Sequence, residues 1–299
     1  MGDTIMYYFL SIFIGILVTI MVVFNGELTS LYGVYISTAI IHLVGLLFVS
    51  ILCLIKKTPL LIKRIPILLY TGGALGVITV YFNNLAFDKI SVSAILALSL
   101  LGQAITSIII DNYGYFNMPK QAFNKKKYIS ISFLIIGIVF MLSTATDILI
   151  IPIILSLITG ITVVTSRAIN SNLAEKSTLL ASTWYYYFIG AIISFIIFIF
   201  SYKNIDFGSF SFSNNIIIYF GGVLGALTVF LSNIAVTKIS SFYMTLLLFI
   251  GQVFSGIISD IILTQKFSEA NLVGGILVAI GLAINLWIDK KEKVDIKSS

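Results

Sequence analysis

Apolar runs of membrane-spanning length, separated by short polar stretches, fill the chain from end to end. A helix needs about 20 apolar residues to cross the hydrocarbon core of a bilayer. Ten runs meet that need: 5–24, 31–55, 66–87, 91–111, 128–146, 148–168, 179–201, 214–236, 240–263 and 271–289. The pattern predicts an all-α membrane protein with ten transmembrane helices. No connecting stretch is long enough for a soluble domain. The first run has no convincing small-residue cleavage site and reads as a retained span.

The runs are not independent. Residues 70–111 lie on 219–260 without a gap, at a shift of 149. Tyr70, Gly72, Gly73, Leu75 and Gly76 fall on Tyr219, Gly221, Gly222, Leu224 and Gly225. Lys89-Ile90-Ser91 falls on Lys238-Ile239-Ser240, Gly102-Gln103 on Gly251-Gln252, and Asp111 on Asp260. At a shift of 145, Gly15, Asn25, Leu28, Ser37, Thr38 and Gly45 fall on Gly160, Asn170, Leu173, Ser182, Thr183 and Gly190. Two halves of one design, 1–146 and 147–299, are expected. Internal duplication of this kind is a mark of transporters.

Charge orients the two halves. With ten spans, both termini lie on one side, and that side receives 15 of the 18 Lys and Arg; only Lys89, Lys203 and Lys266 fall on the other. Cytoplasmic loops carry the excess of cations, so both termini are expected in the cytoplasm of a bacterial inner-membrane protein. Five spans per half is an odd number, so the second half must enter upside down. The loop 56–64 has four cations and its counterpart only Lys203; the loop 120–127 has four and its counterpart only Lys266. Two inverted five-helix repeats, working as one fused chain, follow as the expected architecture.

Composition agrees with a lipid environment: 59% hydrophobic residues, 10% charged residues and a mean hydropathy of +1.10. A soluble domain has roughly 25% charged residues. The net charge of +6 sits in short loops, so it reads as topology and not as a nucleic-acid surface. Cys53 and His42 are single, which leaves no intrachain disulfide, thiolate cluster or multi-histidine metal site. No cofactor motif is present, and no Gly-x-x-x-x-Gly-Lys-Ser/Thr loop for ATP.

Asn25-x-x-Leu28, His42-x-x-Gly45, Gly72-Gly73-x-x-Gly76 and Gly102-Gln103, followed by Ile110-Asp111-Asn112-Tyr113-Gly114, resemble the YdcZ family of the drug/metabolite transporter superfamily. The second half repeats the pattern in Asn170-x-x-Leu173, Gly190, Gly221-Gly222-x-x-Gly225, Gly251-Gln252 and Asp260. It departs from it after Asp260, where the Asn-Tyr-Gly tail is missing, and at Tyr187, which stands in the place of His42. The resemblance implies a transporter fold, either as antiparallel five-span pairs or, as here, as a fused ten-span chain. It implies no substrate.

Each polar residue in the spans has a structural and a functional reading. Gly72, Gly76, Gly221 and Gly225 form small-xxx-small faces for close helix packing, and such crossings can frame a cavity. Gln103 and Gln252 lie midway along their runs. A buried amide needs a partner, so they are either helix-to-helix glue or solute ligands near the midplane. His42 is either a bonded neutral ring or a site for a coupling proton. Asp111 and Asp260 end their helices, where a carboxylate opposes the dipole; a neighbouring helix start, a lysine or solvent must stabilise each, as a clamp or a gate. Arg167 (Val22 in the first half) either snorkels from the inner end of its span or anchors an anionic group. Asn25 and Asn170 are expected to cap the ends of the first and sixth helices, with a cavity-edge contact as the rival. Asn84 and Asn233 match across the repeat. In Trp184-Tyr185-Tyr186-Tyr187 one or two rings would line a cavity, Tyr187 first.

These features favour a secondary transporter working by alternating access, on a small neutral or amphipathic organic solute, with export the expected direction. A channel is the alternative, separable by non-saturating flux. An intramembrane enzyme is disfavoured, because no paired carboxylates, catalytic Ser/His or Cys/His pair, or histidine–carboxylate set is present. The expected partners are the solute, lipid and a coupling proton.

Overall fold

The computed structural model describes residues 2–60, 65–87, 89–118, 120, 127–143, 149–204, 212–265 and 267–298. Lys63, Arg64, Lys125, Lys126 and Lys266, which carry part of the charge asymmetry, lie outside these residues, as does the boundary between the halves at 146 and 147.

Lipid offers the backbone no hydrogen bonds, so membrane segments must satisfy their own amides, and helices do so. Among the described residues the α-helices are α1 (Gly2–Ile55), α2 (Gly72–Ala86), α3 (Val92–Tyr113), α4 (Lys127–Leu142), α5 (Ile150–Lys176), α6 (Leu179–Phe200), α7 (Gly221–Val236), α8 (Ser241–Thr264) and α9 (Glu269–Ser298). Each apolar run holds one helix or one helix arm. By length and composition, six helical stretches can cross a membrane, α1 counted once; the apolar parts of α4 (Tyr128–Leu142) and α9 (Glu269–Gly281) are shorter. The α2 helix has 15 residues, about 22 Å at 1.5 Å per residue. A four-residue 3-10 turn, Ile67–Tyr70, precedes it and adds about 8 Å. Together they approach the ~30 Å of a hydrocarbon core. A matching turn, Ile216–Phe220, precedes α7.

The expected loop between the first two runs is absent. Helical structure continues through the polar stretch after Asn25, where the Thr29 hydroxyl donates to the Asn25 carbonyl at 2.8 Å and Ser30 to that of Gly26 at 3.2 Å. The chain then turns on Gly33 alone, at φ 74° and ψ 165°, a conformation essentially closed to residues with a Cβ. Thr29 and Ser37 hydroxyls meet at 2.8 Å across the bend. In a straight helix those eight residues would span about 12 Å, so the two arms fold back on each other.

Asn25 and Asn170 therefore do not cap helix ends. The first arm of α1 runs past Asn25 to the Gly33 turn, and α5 runs past Asn170 to Lys176. Both amides are buried inside their helices. Side chains that do cap helices, at their N-termini, include Ser91, which accepts from the Ala94 amide at 3.2 Å, Thr178, which accepts from Ala181 at 3.1 Å, and Ser240, which accepts from Tyr243 at 3.3 Å. These two serines are repeat equivalents.

Packing is reciprocal between the halves. Asp111, near the C-terminal end of α3, accepts from the Phe242 amide at the start of α8 at 2.9 Å. Asp260, near the end of α8, accepts from Val92 and Ser93 at the start of α3 at 2.8 and 3.1 Å, and from Asn271 Nδ2 at 3.3 Å. The start of each helix thus lies at the end of the other, so α3 and α8 run antiparallel. Ser107 and Thr245 hydroxyls join them at 3.0 Å. A negative group at a helix N-terminus is favoured by the exposed amides and the dipole, which answers what stabilises each carboxylate.

Glycines set two equivalent crossings. A Cβ on Gly251 of α8 would overlap the Ile12 carbonyl and come within 3.0 Å of the Gly15 Cα in α1. A Cβ on Gly102 of α3 would overlap the Leu157 carbonyl and approach the Gly160 Cα of α5 to 3.2 Å. Helices pair this closely only where side chains are missing. At the margin, α4 packs on α9 through Gly137 and Gly274, and Ser130 donates to the Gly281 carbonyl.

Removing either capping carboxylate leaves buried amides unpaired. Asp260→Ala and Asp111→Ala are each expected to lower stability by about 1–3 kcal/mol, read as a lower Tm in detergent. Gly251→Val should cost a similar amount, about 1–3 kcal/mol, through overpacking against α1. Unchanged melting of Gly251→Val would mean that the α1–α8 crossing is looser than described.

Candidate solute site

The crossings leave a cavity of about 120 Å³ between the halves. Repeat-matched residues line it in pairs: Val18 with Val163, His42 with Tyr187, Thr79 with Thr228, Asn83 with Ser232, and Gln103 with Gln252. A larger hollow of about 1350 Å³ lies among helix ends around Phe87, Lys89, Asp260 and Asn271. It is the more open of the two, and few of the polar residues singled out from the sequence reach it. The smaller cavity is where they converge.

Gln103 sits midway along α3, buried, its Nε2 donating to Ser99 Oγ one turn earlier at 3.4 Å. Its Oε1 accepts from Arg167 Nη2 of α5 at 3.1 Å. Gln252 occupies the equivalent place on α8. Its Oε1 is buried with no partner among the described residues.

Arg167 does not snorkel. The helix carrying it runs on to Lys176, so it stands about two and a half turns from the end. Its side chain is only 9% exposed and lines the cavity. The Nη1 nitrogen has no acceptor among the described residues, and no carboxylate is among the described residues lining the cavity.

The two aromatic positions pack by exchange. The His42 ring lies on Gly190, and the Tyr187 ring lies on Gly45, the equivalent glycine of the other half. The ring centroids are 6.0 Å apart. His42 Nδ1 is 2.8 Å from the Thr38 carbonyl. A carbonyl only accepts, so Nδ1 carries the proton there and Nε2 of the neutral ring is an acceptor.

Asn170 Nδ2 donates to Asn233 Oδ1 at 3.3 Å, and Asn233 Nδ2 donates to Ser182 Oγ at 3.2 Å. Both asparagines line the cavity. Asn84 repeats the second bond in the first half, donating to Ser37 Oγ at 3.4 Å, but it lies outside the cavity wall. Asn25 also lies outside, against Gly221. Gly225 lines the cavity, Gly76 carries the Tyr186 ring, and the Gly72 carbonyl accepts from Ser166 at 2.7 Å. Asp111 and Asp260 remain at the helix starts that they cap.

In the aromatic run, Tyr186 joins Tyr187 in the cavity wall, while Trp184 donates to Ser50 Oγ at 2.9 Å and Tyr185 to the Leu60 carbonyl. Thr79, Thr228, Asn83 and Ser232 are further polar lining residues that the sequence reasoning passed over. Their signal was present, because 79 with 228 and 83 with 232 obey the same shift of 149.

A helical membrane protein with a largely apolar cavity, set with a few amides and hydroxyls, on the seam between two similar halves has the build of a membrane transporter. The family model described as "Putative inner membrane exporter, YdcZ" matches the chain twice, over residues 6–140 and 151–284. The chain belongs to that family of membrane transporters. A crystal structure of another protein shares the fold, with a TM-score of 0.67 and 12% identity over 97% of this chain and 98% of the other. No curated protein matches the sequence with significance.

Proposed function

We propose that the protein is a secondary transporter that exports a small organic solute across the bacterial inner membrane by alternating access. The helical segments cross the bilayer ten times, as repeats 1–146 and 147–299 in opposite orientations, with both termini in the cytoplasm. One observation carries the reading: the cavity lies on the seam between the halves and is lined by equivalent residues from each, Gln103 with Gln252 and His42 with Tyr187. Solute sites at the interface of inverted repeats are the general rule for such carriers. The antiparallel run of α3 and α8 supports the inversion. Export accords with the family description.

In this mechanism one half tilts against the other and opens the cavity to each side in turn. The glycine crossings supply smooth, close contacts for that motion. Lining amides and hydroxyls hold the solute, and His42 offers Nε2 to a coupling proton.

Three measurements test this. Tags near Thr58 and near Asn204 should report opposite compartments; a shared compartment removes the inverted architecture. A metabolite panel should yield a compound that stabilises the purified protein and undergoes saturable counterflow in liposomes. Gln252→Ala, which removes from the wall an amide oxygen with no partner among the described residues, and Gln103→Ala, which removes the brace on Arg167, should each weaken that compound's binding by about tenfold, on the order of one hydrogen bond. Stabilisation that survives both changes intact places the solute elsewhere. For the proton, transport measured from about pH 5 to about pH 8, where histidine titrates, should lose its pH dependence in His42→Ala; an unchanged profile excludes His42.

A further inference from the structure

The cavity wall holds a buried cation, with no carboxylate among the described residues that line it. Arg167 is buried in the middle of the bundle, and a guanidinium stays protonated in proteins. A buried unpaired charge is costly unless something neutralises it. Nη1 has no acceptor among the described residues, and no carboxylate is among those that line the cavity. The buried carboxylates Asp111 and Asp260 do not line the cavity and already cap helices. Meanwhile Ser99 holds Gln103, and Gln103 Oε1 holds Nη2 at 3.1 Å. This relay fixes the guanidinium while leaving Nη1 unused.

We infer that the transported solute is a small organic monocarboxylate whose carboxylate pairs with Arg167, with Gln103 as the residue that positions the guanidinium. This rests on the transporter reading above and replaces the neutral solute expected from the sequence with an anionic one. The planar fork of arginine matches a carboxylate. Arg167 is the one Lys or Arg among the described residues of the wall, which suits one negative charge and not two. The rest of the wall includes Val18, Val163, Val229 and Leu248, which suits a short apolar tail. A space of about 120 Å³ is close to the ~150 Å³ that accepts benzene in a protein core. The tail is therefore a few carbons or one small ring. Arginine stands here in one half only, with Val22 at the equivalent place, so the solute binds in one orientation across the pseudo-symmetric seam.

The test compares acetate, butyrate and benzoate with acetamide, butyramide and benzamide, at matched ionic strength, by thermal stabilisation of the purified full chain. At least one carboxylate should raise Tm at a concentration about tenfold or more below its amide, the worth of a charge-assisted hydrogen bond. Arg167→Gln should erase that difference. Should Arg167→Gln fail to fold, Gln103→Glu serves instead: it sets a carboxylate against the guanidinium and should abolish the preference with the arginine still present. Equal responses to acids and amides, no response to any acid, or retention of the preference in a folded variant overturns the assignment. So does equal stabilisation by chloride or inorganic phosphate, which would mark an inorganic anion hole. Failure of transport reads differently. Carboxylates that bind through Arg167 yet show no counterflow in liposomes would remove the transporter reading alone. Saturable counterflow of an amide, indifferent to Arg167→Gln, would keep transport and remove the anion.

Discussion

The exchange of carboxylates between α3 and α8 is the constraint around which the bundle is arranged. Asp111 and Asp260 stand where a helix tolerates negative charge poorly, near its C-terminal end. Neither is stable there alone. Each is stabilised by the open amides at the start of the other helix. That solution exists only if the two helices are antiparallel, adjacent and in one register. Both ends of the pair are fixed at once, so Gln103 and Gln252, midway along, face a common space. The glycine crossings then bring α1 and α5 against the same pair from either side.

Much of this was legible because the chain is duplicated. The shift of 149 that pairs Asp111 with Asp260 also pairs Ser91 with Ser240 and Gln103 with Gln252. Ser91 and Ser240, and Asp111 and Asp260, ended in equivalent surroundings. Hydropathy located a helix or helix arm in every run, since lipid leaves the backbone few alternatives. What it missed were helix ends. Asn25 and Asn170 resemble turn residues locally, but the backbone stays helical through both, and nearby hydroxyls such as Thr29 bond back to the preceding turn. The same error misplaced Arg167. With α5 ended at residue 168, the arginine looked interfacial; with α5 extended to Lys176, it is interior. Inter-helix partners such as Arg167 with Gln103 carry no sequence signal, because they depend on how α5 crosses α3.

The site itself departs from the symmetry that frames it. His42 faces Tyr187, Met21 is matched by Ser166, and Arg167 by Val22. Scaffold residues repeat, while those able to hold charge or exchange a proton do not. Duplication accounts for the cavity, and divergence within its wall accounts for any chemical preference.

Gly33 carries a consequence of its own. A continuous α1 of 54 residues would be a rod of about 80 Å at 1.5 Å per residue, far more than a bilayer can cover. Its hydroxyl-rich middle would then rest in hydrocarbon or drag apolar surface into water. One pair of backbone torsions prevents this by reversing the chain within a single residue. The path taken by the opening sixth of the molecule is therefore decided by an amino acid with no side chain to contribute.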